Sequence, residues 1–177
     1  KEPGPGTGVW DRSKIGVKFY PRGAEIRRRL QAALLDTTDF EIPAGDPAYV
    51  VRNEFTFAHD SKIVHYLPHM HLRGVSALYE AEYPDGTRET LLRVPRYDFY
   101  WQHTYQYIEP KAVPAGTVVR FTTVYDNSAG NPRNPDPAAT VHWGERSDDE
   151  MSVGKVWFIS DAEGGPVAED DSSRIVH

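Results

Sequence analysis

Short stretches of alternating apolar and polar residues recur along most of the chain. They are rich in Val, Ile, Thr and aromatic residues, and turn sequences containing Pro, Gly, Asp or Asn separate them. Alternation with a period of two is typical of strands that bury one face. The stretches that we predict to be strands are residues 15–20, 49–57, 62–72, 75–83, 89–94, 99–108, 116–125 and 150–159. This spacing predicts an all-β fold, an antiparallel sandwich or barrel of about eight or nine strands.

The clearest turn is the sequence Pro-Asp-Gly-Thr-Arg at residues 84–88, between two alternating stretches. Asp-Gly supplies the positive φ angles that a tight hairpin needs, so we predict a hairpin here. Residues 24–35 are ambiguous, because their propensities fit a short helix and tertiary context fits a strand. Residues 127–140 are rich in Asn, Pro and Gly, which predicts a long loop.

The length of 177 residues and the mass of 20.0 kDa favour one domain with loose ends. Residues 1–13 are rich in Pro and Gly and are predicted to be a linker or an arm. Residues 14–160 carry the strand pattern and are predicted to form the sandwich. Residues 161–177 are acidic and rich in small residues, and we predict a mobile tail. Since the chain starts at Lys1 rather than Met, an upstream segment is expected to be missing.

The composition excludes several classes of function. The net charge of −6 and the pI near 5.6 give no general attraction to nucleic acid, and no apolar run is long enough to span a bilayer. The chain has no cysteine. Disulfides, thiolate zinc sites, thiol nucleophiles and a blue-copper centre are therefore excluded, and any metal must be bound by His, carboxylate or Met.

The sequence Leu-Pro-His-Met-His-Leu-Arg-Gly at residues 67–74 carries the candidate chemistry. In an extended chain residues i and i+2 point to the same face, so His69 and His71 are expected to reach one metal ion. Met70 is then expected on the opposite face, in the core. Met151 is the other methionine, and a sandwich readily brings such distant strands together. On the residues alone, two half-buried imidazoles with ordinary hydrogen bonds remain the alternative.

The chain resembles the C-terminal domain of the copper type II, ascorbate-dependent monooxygenases, the family of peptidylglycine α-hydroxylating monooxygenase and dopamine β-monooxygenase. The likeness runs in order over residues 12–160, through the motifs PHMHLRG, YPDGTRETLLRVPRYDFYWQHTY, VPAGTVVRFTTVYDN and SDDEM. In that family the catalytic copper is bound by a His-x-His pair and by a methionine in an acidic context. The matching positions are His69, His71 and Met151, which the resemblance assigns as catalytic and as metal ligands.

The resemblance implies a jelly-roll-like β-sandwich that binds one copper ion, activates O2 and hydroxylates a C–H bond of a small-molecule or peptide substrate. An external reductant such as ascorbate is implied. A second, electron-supplying copper domain would lie upstream and is absent from this chain. The lack of cysteine departs from the animal enzymes and is more similar to a bacterial relative. Copper chemistry of this kind implies a periplasmic or secreted, extracytoplasmic protein.

Three further histidines are candidates for other roles. His65 precedes His69 by four residues and is expected to support the site or lie on the surface. His103 lies among aromatic residues, where a strand position is favoured over the wall of a substrate pocket. His142 precedes Met151 in the last loop and is a candidate to approach the metal.

Three other classes of protein compete with the monooxygenase interpretation. A cupin fails, because Val75 or Ser76 stands where its Glu ligand belongs and Val119 stands where its later His belongs. A zinc hydrolase needs a third ligand and a general base, for which His65 or Asp149 are candidates. A non-catalytic sandwich that binds a metal, a carbohydrate or a protein through its aromatic face needs none of the three proposed ligands.

Overall fold

The fold consists of strands and connecting loops in a computed structural model that describes residues 10, 12–25 and 28–162. The strands are β1 (Gln31–Thr37), β2 (Glu41–Ile42), β3 (Tyr49–Thr56), β4 (Ser61–His69), β5 (Gly74–Glu82), β6 (Arg88–Val94), β7 (Tyr105–Val113), β8 (Val118–Tyr125), β9 (Val141–His142) and β10 (Ser152–Ser160). Most of the predicted segments at 1–13 and 161–177 lie outside the described residues. The described part contains no helix long and apolar enough to cross a membrane.

Two four-stranded antiparallel sheets pack face to face and make a β-sandwich. The first sheet has the order β1-β10-β4-β7 and the second has the order β3-β8-β5-β6. The short strands β2 and β9 pair separately and close the long loop at residues 127–140 onto the body. The prediction of an all-β antiparallel sandwich with about eight or nine strands is confirmed, since eight of the strands have seven to nine residues.

Two strand predictions are corrected by the structure. Residues 15–20 form no strand among the described residues, and Ile15 and Phe19 are exposed. Alternation alone does not make a strand when no neighbouring strand pairs with the backbone groups. The strand predicted at 99–108 begins at Tyr105, because Asp98 accepts a hydrogen bond from the Tyr100 amide and starts a turn.

The remaining local predictions have mixed outcomes. The ambiguous segment at 24–35 contributes to β1 from Gln31 onward, so strand pairing with β10 decides its conformation. The hairpin at 84–88 is confirmed, with Gly86 at φ 83° between β5 and β6. Strands β2 and β9 were not predicted, since a two-residue pairing leaves no periodic pattern in the sequence.

The two sheets approach closely where β10 crosses β8. Gly154 of β10 faces the ring of Phe121, which is fully buried, and a Cβ atom at Gly154 would lie 2.6 Å from that ring. Glycine is therefore required here by space. The contact holds the end of β10 that carries the candidate site close to the second sheet.

Replacement of Gly154 by alanine is expected to lower the free energy of unfolding by about 1–3 kcal/mol, because the methyl group overpacks the core against Phe121. Urea unfolding followed by tryptophan fluorescence measures the change. Gly16→Ala is the matched control, since a Cβ atom there meets nothing within 4 Å. Equal stability of the Gly154→Ala and Gly16→Ala variants would contradict the close approach of the sheets.

Candidate metal centre

The first candidate ligand, His69, is the last residue of strand β4. His69 pairs with Val153 of β10 in the antiparallel ladder, so the two side chains lie on the same face of the sheet. The residues of β10 on either side of Val153, Ser152 and Gly154, are buried, and so is Val156, which shows that this alternate set faces the second sheet. Val153 and His69 therefore lie on the outer face of the first sheet, away from the second sheet.

The second candidate ligand lies beside the first. The His71 ring is 5.1 Å from the His69 ring between centroids, at an interplanar angle of 81°. Met70, between them, is fully buried in the core. The predictions that the two imidazoles share one side and that Met70 packs inward are confirmed. His71 is itself only 4% exposed, so its ring sits in a protein environment more than in water.

The hydrogen bonds of His69 decide which of its nitrogens is available. The Nδ1 atom lies 2.7 Å from Oε1 of Gln102, and Nε2 of Gln102 donates to the carbonyl of Phe99 at 3.2 Å. The second bond orients the amide so that its oxygen faces the imidazole. An amide oxygen only accepts, hence the proton of this hydrogen bond lies on Nδ1 of His69, and Nε2 is the nitrogen on the other side of the ring from Gln102.

His71 has the same arrangement with a different partner. Its Nδ1 lies 3.1 Å from the backbone carbonyl of Asp149, which again only accepts. Burial lowers the pKa of His71, and the neighbouring His69 adds to this, while hydrogen bonds to the backbone of Asp149 and of Arg146 oppose it. Each of the two rings is thus oriented by an oxygen atom that contacts its Nδ1.

Met151 lies directly before β10, at the end of that strand where β4 ends. The His69–Val153 pair is the last of the ladder, and beyond it His71 follows β4 and Met151 precedes β10. The Met151 carbonyl accepts a hydrogen bond from the Tyr125 hydroxyl at 2.7 Å, which fixes its backbone. The backbone positions of all three predicted ligands therefore lie at one end of the same pair of strands.

A buried carboxylate joins the two segments that carry the candidate ligands. Glu150 is fully buried, and its two oxygens accept from the backbone amides of His71 at 2.8 Å and Arg73 at 2.6 Å. Burial raises the pKa of Glu150 to about 7, while the two amides and the charge of Arg73 oppose the rise. Glu150 therefore acts as a clamp. It holds the backbone of His71 and Arg73, which follows His69, against the segment directly before Met151.

Arg73 completes this clamp from the other side. Its side chain is buried and donates to Oδ1 of Asn127 and to the carbonyl of Asp148, both at 2.8 Å. Asn127 in turn donates to the carbonyls of Pro43 and Ala139. Sequence reasoning missed Glu150, Arg73 and Asn127, because an acidic run and a single Arg usually face solvent. An Arg two residues after the histidine pair was the available signal.

The segment between β6 and β7 forms one side of the candidate site. The Tyr97 hydroxyl donates to the Met70 carbonyl at 2.7 Å and accepts from the Met70 amide at 3.1 Å. Phe99 packs edge-on against His71 with centroids 5.7 Å apart. The following Tyr100 and Trp101 are 76% and 73% exposed. The segment is anchored beneath the histidines and presents two large aromatic side chains to solvent.

Three other histidines, among the described residues, make contacts outside the pair. The His65 ring packs against Trp157 on the outer face of the sheet. The His142 side chain is exposed and lies 3.8 Å from Glu41. His103 precedes β7 and stacks on Trp101 at an interplanar angle of 11°, outside the strand position favoured from sequence. The proposed roles of His65 and His142 as ligands gain no support from these contacts.

Within the described ranges no three His, Asp or Glu side chains are grouped so as to hold a metal ion. The zinc alternative needs such a third ligand and gains no support there. The proposed ligands His69, His71 and Met151 are not such a group, because the third donor is the thioether of a methionine.

The chain was also compared with known proteins. No protein-family model matches it, and no curated protein sequence matches it. The resemblance to copper monooxygenases therefore stays a prediction that rests on the residues themselves.

Proposed function

We propose that this chain is a mononuclear copper domain that hydroxylates a substrate C–H bond with O2. The observation that carries the proposal is the pair of neighbouring imidazoles, His69 and His71, whose ring centroids lie 5.1 Å apart and whose Nδ1 atoms each contact a carbonyl oxygen. Met151 would provide the third donor. We further propose that the domain works outside the cytoplasm and receives electrons through an upstream copper domain or from a reductant such as ascorbate.

The donor set fits copper better than other common metals. Imidazole suits copper, and the thioether of methionine is a soft donor that favours Cu(I). All three donors are neutral, which suits a monovalent ion in a half-buried setting. Magnesium, calcium and manganese prefer carboxylates, and Glu150 is already engaged with two backbone amides.

The residues of the chain would bind the copper ion, orient its ligands and shield the site from water. Gln102 and the Asp149 carbonyl contact Nδ1 of the two rings and fix the orientation of each imidazole. Phe99 covers one side of His71 and excludes water there. Bound copper would supply the one-electron redox chemistry and the activation of O2 that hydroxylation requires. Overall, one oxygen atom of O2 enters the C–H bond, and the other becomes water with two electrons from the reductant and two protons.

The experiment that tests the proposal compares the two methionines. Met151→Leu is expected to weaken Cu(I) binding on the order of 100-fold while changing Cu(II) binding much less, because a soft donor favours the reduced ion. Met70→Leu is the matched control, as it removes the other sulfur at a buried position with a residue of similar volume. Competition with a Cu(I) chelator measures both. Equal affinities of the two variants would refute the assignment of Met151.

Gln102 is expected to act as a positioning residue for His69. Gln102→Ala removes the acceptor that fixes the His69 tautomer and should weaken Cu(I) affinity about 10–100-fold. Gln106→Ala removes an exposed glutamine of β7, four residues further along the chain, and should leave the affinity unchanged. The electron paramagnetic resonance spectrum of the Cu(II) form should also change for Gln102→Ala alone. An unchanged spectrum and affinity would show that His69 needs no such partner.

A second candidate function is a non-catalytic binding module. The exposure of Tyr100 and Trp101 on an anchored segment favours it, because rigid exposed aromatic residues are typical of ligand-stacking surfaces. Such a module would be indifferent to substitutions at the three proposed metal ligands.

A further inference from the structure

The sandwich has a cleft along one side, between the edge strands of its two sheets. Strand β7 ends the first sheet and β6 ends the second. The Tyr107 hydroxyl donates to the Leu91 carbonyl at 3.1 Å, and Lys111 pairs with Glu89 at 2.7 Å, so side chains tie the two edges together. A cleft of about 320 Å³ lies between them. This volume is at the lower end of the range of about 300–1,000 Å³ typical of sites for small molecules.

The walls of the cleft are aromatic and aliphatic. Tyr66 and Tyr107 meet edge to face at 5.7 Å, as do His103 and Tyr105 at 5.3 Å, and Leu92 contributes from β6. Among the described residues that line the cleft, none carries a carboxylate, an ammonium or a guanidinium group. A charged ligand would lose its hydration without gaining a partner, so the lining selects a neutral molecule. Aromatic walls favour a flat ring.

The floor of the cleft offers one oriented polar group. The Tyr107 hydroxyl gives its proton to the Leu91 carbonyl, so its oxygen accepts from the Tyr66 hydroxyl at 3.5 Å. The Tyr66 oxygen keeps a lone pair for an incoming donor. Burial raises the pKa of Tyr66 far above its ordinary value, so this phenol stays neutral. A ligand with a hydroxyl or N–H group at its inner end can donate a hydrogen bond to the Tyr66 oxygen.

We infer that this cleft binds a neutral, flat aromatic molecule with a hydroxyl or N–H donor, of the phenol or indole type. The inference is independent of the copper proposal. Tyr105 and Tyr107 pack toward the core, whereas His69 lies on the outer face of the same sheet. The two sites use adjacent residues of the chain, since Gln102 contacts His69 and the next residue, His103, lines the cleft.

The test titrates the metal-free protein with indole and follows backbone amides by NMR. We expect saturable binding with a Kd on the order of 1 mM, as fits so small a ligand. The shifted amides should cluster on β6 and on the first half of β7. Cyclohexanol, which is not flat, and benzoate, which is charged, should bind at least about tenfold more weakly. Equal binding of all three compounds, or shifts that cluster elsewhere, would overturn the inference.

Variants then locate the site independently. Leu92→Trp fills the cleft and should weaken indole binding at least about tenfold, while Ile108→Trp, on the same β7 strand but fully exposed, should leave it unchanged. Tyr66→Phe removes only the hydroxyl and should weaken the binding of indole but not of benzene. Unfolding temperatures confirm that each variant is folded. Undiminished binding in Leu92→Trp, or equal losses in Leu92→Trp and Ile108→Trp, would place the ligand elsewhere and refute the cleft.

Discussion

Replacement of Glu150 by alanine is expected to lower the free energy of unfolding by about 3–5 kcal/mol, the cost of removing one member of a buried charged pair. The carboxylate holds two backbone amides, those of His71 and Arg73. Without it both amides lose their acceptor, and the buried guanidinium of Arg73 loses the negative charge of Glu150, which stabilises its charged form. Urea unfolding of the metal-free protein at pH 8, above the pKa of Glu150, measures the loss.

Two further variants distinguish the loss of the two hydrogen bonds of Glu150 from the general effect of removing a negative charge. Glu150→Gln keeps the shape but leaves one amide facing an N–H group, so its loss should lie between those of the wild type and Glu150→Ala. Glu145→Ala removes an exposed carboxylate from the same loop and should change the free energy of unfolding by less than about 0.5 kcal/mol. If Glu150→Ala is no less stable than Glu145→Ala, Glu150 does not connect the two segments.

Replacement of both His69 and His71 by alanine is expected to abolish stoichiometric copper binding. Two of the three proposed donors are lost, and a single thioether does not retain the ion against water and buffer. The fold should survive, since His69 ends its strand on the outer face and neither ring belongs to the apolar core. Dialysis against copper followed by metal analysis gives the stoichiometry, and circular dichroism confirms the fold.

The matched control removes two other histidines. His59 and His142 are exposed, and His59→Ala/His142→Ala should bind one copper ion as the wild type does. Copper loss in this control, or full retention in His69→Ala/His71→Ala, would show that copper binds the surface rather than the proposed centre.

The sandwich was predictable from sequence because its long strands bury one face and keep a period of two. The strands over 49–56, 74–82 and 118–125 lie within one or two residues of their predicted limits. The stretch at 15–20 has the same period and forms no strand, because periodicity shows which face is apolar and not which strand lies beside it. The extent of β7 was misjudged for a local reason, the turn started by Asp98.

The candidate site was predictable only in part. His69, His71 and Met151 follow from spacing and from the resemblance, and the sheet register brings them to one end of β4 and β10. Glu150 and Gln102 were not predicted, because their roles depend on contacts between residues 33 or 79 positions apart. Contacts of this kind are set by tertiary packing, and no local pattern in the sequence reports them.

The most direct test of the central claim is X-ray absorption at the copper edge on the wild-type protein loaded with one equivalent of Cu(I). We expect a first coordination sphere of two imidazole nitrogens and one sulfur, with the sulfur scattering lost in Met151→Leu and kept in Met70→Leu. A coordination sphere of nitrogen and oxygen alone, or sulfur scattering that persists in Met151→Leu, would contradict a copper centre formed by His69, His71 and Met151.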